Sequence, residues 1–267
     1  MKIRSIIFYT ALMMSANLAS ANDKQKLLIT GSSTVSPVIQ EIARVYEQQQ
    51  SKVLVDVQTG GSSKGVMDTR SGLSDIGMVS RALKQSEQDL KSYTLGFDGI
   101  SLITHSSNSL SNLTKKQIID IYTGKINNWK MLGGPEEEIV VISKAAGRST
   151  LELFLAYLGI KHSKIKADIV IGDNEQGIKA VESNKFAIGY VSIGAAKYRA
   201  ENGAPIKLIS ADGHIPSLEN VRKRTYPMTR ELNLVTSGNE TDSANKFIKF
   251  SLHQSSLIEA FNFVPAE

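Results

Sequence analysis

The sequence predicts an α/β fold of two lobes, each a mainly parallel sheet flanked by helices. Short apolar strands alternate with amphipathic helices in two separate runs, which is typical of parallel sheets with crossover helices. A further strand follows the second run, so we expect the second lobe to be inserted between the start and the end of the first. Several strands also lead into helix starts that are rich in serine and threonine, and these helix starts are the main clue to function.

The composition is that of an ordinary globular protein. Of the 267 residues, 41% are hydrophobic and 21% are charged, enough for one large or two medium domains. The net charge of +5 attracts anions weakly and makes no strong case for nucleic-acid binding. The chain has no cysteine, which excludes disulfides, thiolate metal sites, a cysteine nucleophile and a lipid-modified cysteine.

Residues 1–21 have the pattern of a secretory signal peptide. Lys2 and Arg4 precede a short apolar run over 6–14, and Ala19-Ser20-Ala21 fits a cleavage site after Ala21. Cleavage would remove two positive charges and leave a net charge of +3. We therefore expect an exported protein, and the cleavage site without a lipid-modified cysteine favours a periplasm.

The first lobe is predicted from a regular succession of elements. Alternating β-branched residues, capping patterns and terminating glycines mark their ends. We expect strands at 27–30, 53–57, 75–79 and 99–104, and helices at 38–49, from about 62 to 70, and from 86 onward.

The second lobe begins after the polar loop 106–109. Thr114 and Gln117 form a capping box, and Leu113 and Ile118 are placed for a hydrophobic staple. Trp129, in a turn-rich stretch, is read as a core residue rather than an aromatic platform. Further strands are expected at 139–142, 169–171, 186–191 and 206–209, and helices from 150 and at 176–183. The chain then returns as a strand at 226–235 and ends in helices at 242–252 and 256–261. We divide it into lobe 1 (22–101 and 225–267) and lobe 2 (102–224).

Three helix starts, at 30–37, 60–65 and 147–150, directly follow predicted strands. Helix starts direct unpaired backbone N–H groups and hydroxyl donors outward, which suits an anion. Any one of them is explained by helix capping alone. Together they indicate an anion site, because the carboxyl ends of strands face the ligand crevice in open α/β sheets. Arg148 is the best-placed side chain for bidentate recognition of an oxyanion.

Two other kinds of site have recognisable sequence patterns, a serine hydrolase site and a metal or phosphate-loop site. The sequence from Gly61 to Gly65 matches G-x-S-x-G, a serine hydrolase pattern that needs a histidine later in the chain. His214 and His253 are the most plausible of the four histidines, but short matches of this kind often arise by chance. No metal-binding pattern and no P-loop is found, so we expect neither metal nor cofactor.

The sequence resembles the phosphate-binding proteins of ABC phosphate importers over nearly all of the chain after the signal peptide. The motifs are weak singly and specific together. They are Gly31-Ser32-Ser33-Thr34-Val35, Gly60-Gly61-Ser62-Ser63-Lys64-Gly65, Asp75-Ile76-Gly77, Leu113-Thr114 with Gly124-Lys125-Ile126-Asn127-Asn128-Trp129, Ala187-Ile188-Gly189-Tyr190-Val191, and Tyr226-Pro227 with Arg230-Glu231-Leu232.

This resemblance implies a type II periplasmic-binding-protein fold, in which two lobes joined by two crossing strands close on one phosphate ion. It also implies docking on an ABC permease at the inner membrane and no catalytic role. The chain is expected to act as a monomer. The ligand-binding residues implied by the motifs and the helix starts are Ser33, Thr34, Val35, Ser62, Ser63, Ser80, Arg148, Ser149 and Thr150.

Two departures from the family pattern bear on specificity. Long-chain members carry an aspartate after the third strand that accepts the proton of phosphate, where this chain has Ser80. Discrimination against sulfate is therefore open, and so is the alternative of another oxyanion such as sulfate or molybdate. The family's R-x-x-G-S-G-T segment reads Lys144 to Thr150 here, with Arg148 expected to make the charged contact and Lys144 either contributing or facing solvent. A phosphate-sensing surface protein and a serine hydrolase are the remaining alternatives.

Overall fold

The computed structural model describes residues 24–266, so the predicted signal peptide lies outside the described residues. Within that range no helix is both long and apolar enough to cross a membrane. The strands are β1 (Gln25–Gly31), β2 (Val53–Thr59), β3 (Ile76–Val79), β4 (Lys91–His105), β5 (Asn112–Leu113), β6 (Val140–Lys144), β7 (Ile169–Ile171), β8 (Ala187–Ser192), β9 (Ile206–Ala211), β10 (Thr229–Thr236) and β11 (Val264–Pro265). The helices are α1 (Ser36–Gln49), α2 (Ser62–Arg70), α3 (Lys115–Tyr122), α4 (Ser149–Leu158), α5 (Asn174–Glu182), α6 (Ile193–Glu201), α7 (Leu218–Arg222), α8 (Asp242–Leu252) and α9 (Ser255–Ala260).

The strands form one mixed, continuous sheet in the order β2-β1-β3-β10-β4-β8-β6-β7. In the first half, β1 is parallel to β2 and β3, and β10 is antiparallel to β3 and β4. In the second half, β6 is parallel to β7 and β8, while β4 is antiparallel to β8 and β9. Each half of the sheet therefore has its own set of three parallel strands.

The long strand β4 joins the two halves. Its residues up to Gly99 pair with β10, and those from Ile100 onward pair with β8. The chain passes between the two halves a second time beside the point where β4 changes partners. There the Ile100 N–H donates to the Met228 carbonyl at 3.0 Å. The predicted two-lobe α/β fold with two crossing strands is confirmed.

Each lobe has a separate hydrophobic core. In the first, Ile29, Met78 and Phe247 are fully buried between α1, α8 and the sheet. In the second, Phe154 stacks on Tyr190 with ring centroids 3.9 Å apart. Trp129 is also buried, and its Nε1–H donates to the Phe186 carbonyl at 2.9 Å, so its interpretation as a core residue is confirmed.

Some local predictions were wrong. The helix expected from residue 86 is only a 3-10 turn, in which the Glu87 carboxylate accepts the Lys84 N–H and is held by Arg81. No longer helix follows because β4 already begins at Lys91. Strand β4 starts eight residues before the predicted strand, since its first part pairs with β10, far away in the sequence. Helices α6 and α7 were not predicted. The start of α6 is rich in small residues and has little amphipathic pattern.

Candidate functional site

The three predicted helix starts are found at the carboxyl ends of three strands. Helix α1 follows β1 and has Pro37 as its second residue, α2 begins at Ser62 after β2, and α4 begins at Ser149 after β6. Helices α1 and α2 belong to the first lobe and α4 to the second. All three N-termini meet in the cleft between the lobes, where their backbone dipoles favour negative charge.

Serine hydroxyls from both lobes are in direct contact in this cleft. Ser62 Oγ donates to Ser149 Oγ at 3.1 Å, and Ser149 Oγ lies 2.6 Å from Ser80 Oγ. Ser80, just after β3, also accepts from Ser32 Oγ at 2.9 Å. All four serines are buried, so the lobes are closed on each other at this point.

The hydroxyl cluster borders a small cavity of about 10 Å³, which is room for about one water molecule. Among residues 24–266 no carboxylate side chain lines it, and most of its polar groups can donate hydrogen bonds. The lining residues are Ser32, Ser33, Thr34, Gly61, Ser62, Ser80, Lys144, Arg148, Ser149, Thr150 and Gly172.

A buried ion pair lies directly behind this cavity. Arg230 on β10 and Asp98 on β4 are 5% and 0% exposed, and Arg230 Nη2 donates to Asp98 Oδ2 at 2.8 Å. The other donors of Arg230 reach Thr150 Oγ1 at 2.9 Å and Thr34 Oγ1 at 3.1 Å. Neither Arg230 nor Asp98 was among the predicted site residues. The available signal was the presence of Asp98 and Arg230 within the strands β4 and β10.

This ion pair sets the direction of a hydroxyl in the site. Thr34 Oγ1 accepts one hydrogen bond from Arg230 and a second from Asn174 Nδ2 at 3.1 Å. A hydroxyl oxygen accepts two hydrogen bonds and donates one. With both acceptor positions occupied, the Thr34 hydroxyl is left to donate, and Thr34 lines the cavity.

Arg148 supplies a cationic donor at the opposite wall. Its Nη1 atom is buried and has no hydrogen-bond partner among residues 24–266. Gly61 and Gly172 leave room for the guanidinium, since an added Cβ would lie 2.9 Å from Arg148 Cδ and 3.0 Å from Arg148 Nη2 respectively. An unpartnered buried donor costs free energy, which an anion in the cavity would recover.

Lys144, at the end of β6, also lines the cavity and is 2% exposed, so the alternative that it faces solvent is wrong. Its Nζ donates to the Asp173 carbonyl at 2.5 Å and to Asn174 Oδ1 at 3.3 Å. Burial lowers the pKa of Lys144 to about 7, and the charges of Arg230 and Arg148 act in the same direction. Asp173 opposes them by favouring the ammonium form.

Seven of the nine predicted site residues line the cavity and two do not. The Val35 side chain lies in the core of the first lobe, and its N–H points to Ser32 Oγ at 3.4 Å. The Ser63 N–H donates across the cleft to the Gly147 carbonyl at 3.4 Å. The seven at the cavity are Ser33, Thr34, Ser62, Ser80, Arg148, Ser149 and Thr150.

Ion pairs at the rim add to the contact between the lobes. Glu152 on α4 lies 3.0 Å from Arg81 Nε and 2.9 Å from Lys84 Nζ, both in the first lobe. Glu152 and Lys84 are partly exposed, so these pairs are screened by salt.

The geometry gives no support to the serine hydrolase alternative. Within residues 24–266, no histidine is hydrogen-bonded to Ser62 or Ser63. His105 contacts Ser107, and His214 and His253 contact backbone carbonyls of Ala211 and Lys249. Over the same range no cluster of His, Cys, Asp or Glu is arranged to hold a metal ion.

Comparisons with known proteins agree with this architecture. A family model described as the PBP superfamily domain matches residues 17–255. A phosphate ABC transporter substrate-binding protein from Clostridium perfringens, solved with bound phosphate, is 32% identical, with a TM-score of 0.84 over 91% of this chain and 100% of that one. An ABC-type phosphate transport receptor from Vibrio cholerae is 30% identical, with a TM-score of 0.71 over 90% and 100%. The phosphate-binding protein PstS of Borreliella burgdorferi is 27% identical over 93% of this chain and 92% of its own length.

Proposed function

Since this chain belongs to the PBP superfamily domain family, we propose that it captures inorganic phosphate between its lobes and delivers it to an ABC import permease. The observation that carries the proposal is the small interlobe cavity, which is lined by hydroxyls, helix N-termini, Arg148 and Lys144 and, in the described part of the chain, by no carboxylate side chain. A tetrahedral oxyanion needs many converging donors to replace its water shell. The relatives named for phosphate support the choice of ion.

We propose that the donors come from three helix starts, from Ser80 after β3 and from Arg148. The nine predicted residues remain the ligand set, with Val35 and Ser63 contributing only if the lobes rearrange around the ion. Arg230 is added as the group that orients Thr34 and Thr150. The proposed ligand-binding residues are Ser33, Thr34, Val35, Ser62, Ser63, Ser80, Arg148, Ser149 and Thr150.

The biological setting is part of the same proposal. We propose export to a periplasm with cleavage after Ala21, a monomer as the functional unit, docking of the loaded form on an inner-membrane permease, and no catalytic turnover. The proposed division is 22–101 with 225–267 for lobe 1 and 102–224 for lobe 2. One hydrophobic core contains only residues of 22–101 and 225–267 and another contains only residues of 102–224, which supports this division. A third core joins Ile100, Tyr226, Met228 and Val264 to residues of 102–224.

A second candidate ligand is another oxyanion, because the acceptor carboxylate of the long-chain relatives is replaced by Ser80. Its hydroxyl is already bonded to Ser32 and Ser149 and lies 3.4 Å from Arg230 Nη1. Sulfate has no proton to donate at neutral pH, so a cavity of donors alone discriminates less strongly against it.

Titration calorimetry of the mature protein with phosphate, sulfate and molybdate tests the proposal. We expect one site per chain and tighter binding of phosphate. Clear binding of sulfate or molybdate with no phosphate binding would reassign the site to that oxyanion.

We predict that Arg148→Ala weakens phosphate binding at least about tenfold, because one charge-assisted contact is lost. Arg44→Ala is the control, since Arg44 pairs with Glu41 on the exposed face of α1. Calorimetry should find the control unchanged, and unchanged affinity in Arg148→Ala would remove that residue from the site.

A further inference from the structure

Lys144 is a buried amine beside the cavity without a carboxylate partner. Among residues 24–266, no Asp or Glu carboxylate oxygen lies within 4.0 Å of its Nζ, whereas Arg230 at the same site is paired with Asp98. The Nζ instead bonds to two neutral oxygens, the Asp173 carbonyl and Asn174 Oδ1. Buried amines without a counter-ion are costly to keep charged.

These two bonds occupy the same positions in both protonation states. A neutral amine has two N–H bonds and one lone pair, whereas an ammonium has three N–H bonds. With two N–H bonds directed at Asp173 and Asn174, only the remaining position differs between the states. That position carries a lone pair in the neutral form and a donor in the charged form, and Lys144 lines the cavity.

The charges around Lys144 come from several elements. Arg148 before α4 and Arg230 on β10 disfavour its ammonium form, and Asp173 before α5 favours it. The Asp98 charge on β4 is engaged by Arg230. The Tyr190 hydroxyl on β8 accepts from the Lys144 N–H, and burial raises the pKa of Tyr190 to about 12, so it stays neutral. With the pKa of Lys144 lowered to about 7, its amine exchanges its proton near neutrality when no anion is bound.

A dianion placed in this cavity would reverse that balance, because its charge favours the ammonium form at short range. We propose that the Lys144 amine takes up one proton as phosphate enters, so that the site captures the dianion and a proton together. The step forms one N–H bond with a proton from solvent, and no bond of the phosphate breaks. This inference rests on the proposed phosphate function.

The proposal fixes a direction for the pH dependence. At a pH above the pKa of the free amine, the unbound protein has a neutral Lys144 amine. Binding of the phosphate dianion is then accompanied by the uptake of one proton. Raising the pH therefore weakens binding, by up to about tenfold per pH unit, until the amine of the complex itself loses its proton. In a site built from arginine and hydroxyls alone, the affinity for the dianion would not fall with pH in this range.

The test is calorimetry with inorganic phosphate at about pH 8.5, above the pKa of the free amine, in two buffers of different ionisation enthalpy. Phosphate in solution is then mostly the dianion. We expect the wild type to take up about one proton per phosphate bound. Lys144→Arg should take up almost none, because a guanidinium stays charged. Lys179→Arg, a change on the exposed face of α5, should behave as the wild type.

Equal proton uptake in the wild type and Lys144→Arg would overturn the proposal, since the proton would then reside on phosphate or on another group. The wild type alone provides a second test that does not depend on how the variant folds. Its affinity should fall between about pH 7.5 and 8.5 by several-fold, up to the tenfold limit. A constant affinity would overturn the proposal and leave phosphate binding intact. No phosphate binding at any pH would overturn the proposed function itself, and this inference with it.

Discussion

At the scale of single residues, Arg230 organises the site although it does not line the cavity. Its guanidinium is shared among the Asp98 carboxylate and the hydroxyls of Thr34 and Thr150, which come from different lobes. Asp98 also accepts the Gly194 N–H at 3.2 Å, which ties the start of α6 to the pair. The planar fork of an arginine suits such multiple contacts in a way that lysine does not.

We predict that Asp98→Asn lowers the free energy of unfolding by about 3 kcal/mol, because it leaves the buried Arg230 cation without its carboxylate. Phosphate should recover part of this loss by acting as a counter-ion. Urea denaturation with and without phosphate measures both effects. Asp89→Asn breaks an exposed pair with Arg70 and should cost less than about 1 kcal/mol. Equal losses in the two variants would contradict the role of Asp98.

Lys144 leads to a prediction for the empty protein. Its pKa is about 7 in the folded state against an ordinary value of 10.5, so between these values the unfolded chain binds more protons. The Lys144 contribution to stability therefore rises with pH across this window. Relative to Lys144→Met, the wild type should gain stability as the pH rises from about 7 to about 10. Denaturant unfolding in phosphate-free buffer measures the difference.

Lys179→Met serves as the matched control for this series, because Lys179 is an exposed residue of α5. Its stability difference from the wild type should stay nearly constant with pH. A constant difference for Lys144→Met as well would show that its amine keeps an ordinary pKa.

At the scale of elements, the site depends on how closely the start of α2 approaches the start of α4. Gly61, just before α2, has φ +95°, a conformation that side-chain-bearing residues rarely adopt. A Cβ there would lie 2.8 Å from the Gly147 carbonyl oxygen in the other lobe. Absence of a side chain at Gly61 therefore allows the two helix starts to meet.

We predict that Gly61→Ala weakens phosphate binding at least about tenfold, because the added methyl group keeps the lobes apart. Gly133→Ala is the control. It also places an alanine at positive φ, but its Cβ would meet nothing within 4 Å. Calorimetry, with unfolding measurements to allow for backbone strain, compares the two. Similar affinity in both variants would show that the approach at Gly61 does not limit closure.

At the scale of the whole molecule, closure rests on a few polar contacts rather than on a large apolar interface. The serine hydroxyls, Arg230 and the rim pairs of Glu152 join the lobes, while most apolar residues of each lobe are buried in a core of that lobe. Such contacts are individually worth about 0.5–1.5 kcal/mol, which suits a reversible change between open and closed forms.

We predict that Glu152→Gln weakens phosphate binding by a few-fold, since each partly exposed ion pair contributes about 0.2–1 kcal/mol. The loss should shrink at high salt because these charges are screened. Calorimetry at two ionic strengths is the measurement. Glu182→Gln, which removes a pair with Arg199 inside the second lobe, should leave affinity unchanged. A loss that is equal for both variants would argue against a role of Glu152 in closure.

The sequence by itself determined the features that depend on neighbouring residues. The strand and helix alternation, the capping box at Thr114 and the three hydroxyl-rich helix starts are all set by short-range spacing, and the structure confirms them. Because the carboxyl ends of parallel strands meet at one edge, seven of the predicted residues also came together at one cavity.

Only the tertiary structure decided which distant groups lie at that cavity or directly behind it. Asp98 and Arg230 are 132 positions apart, and their pairing follows from β10 lying between β3 and β4. Whether Lys144 faced solvent or the cavity depended on the packing of α5 and β8 around it, which no local pattern reveals. Sheet order and burial are properties of the whole chain. The fold, and not any motif, therefore determines which charged side chains lie behind the site.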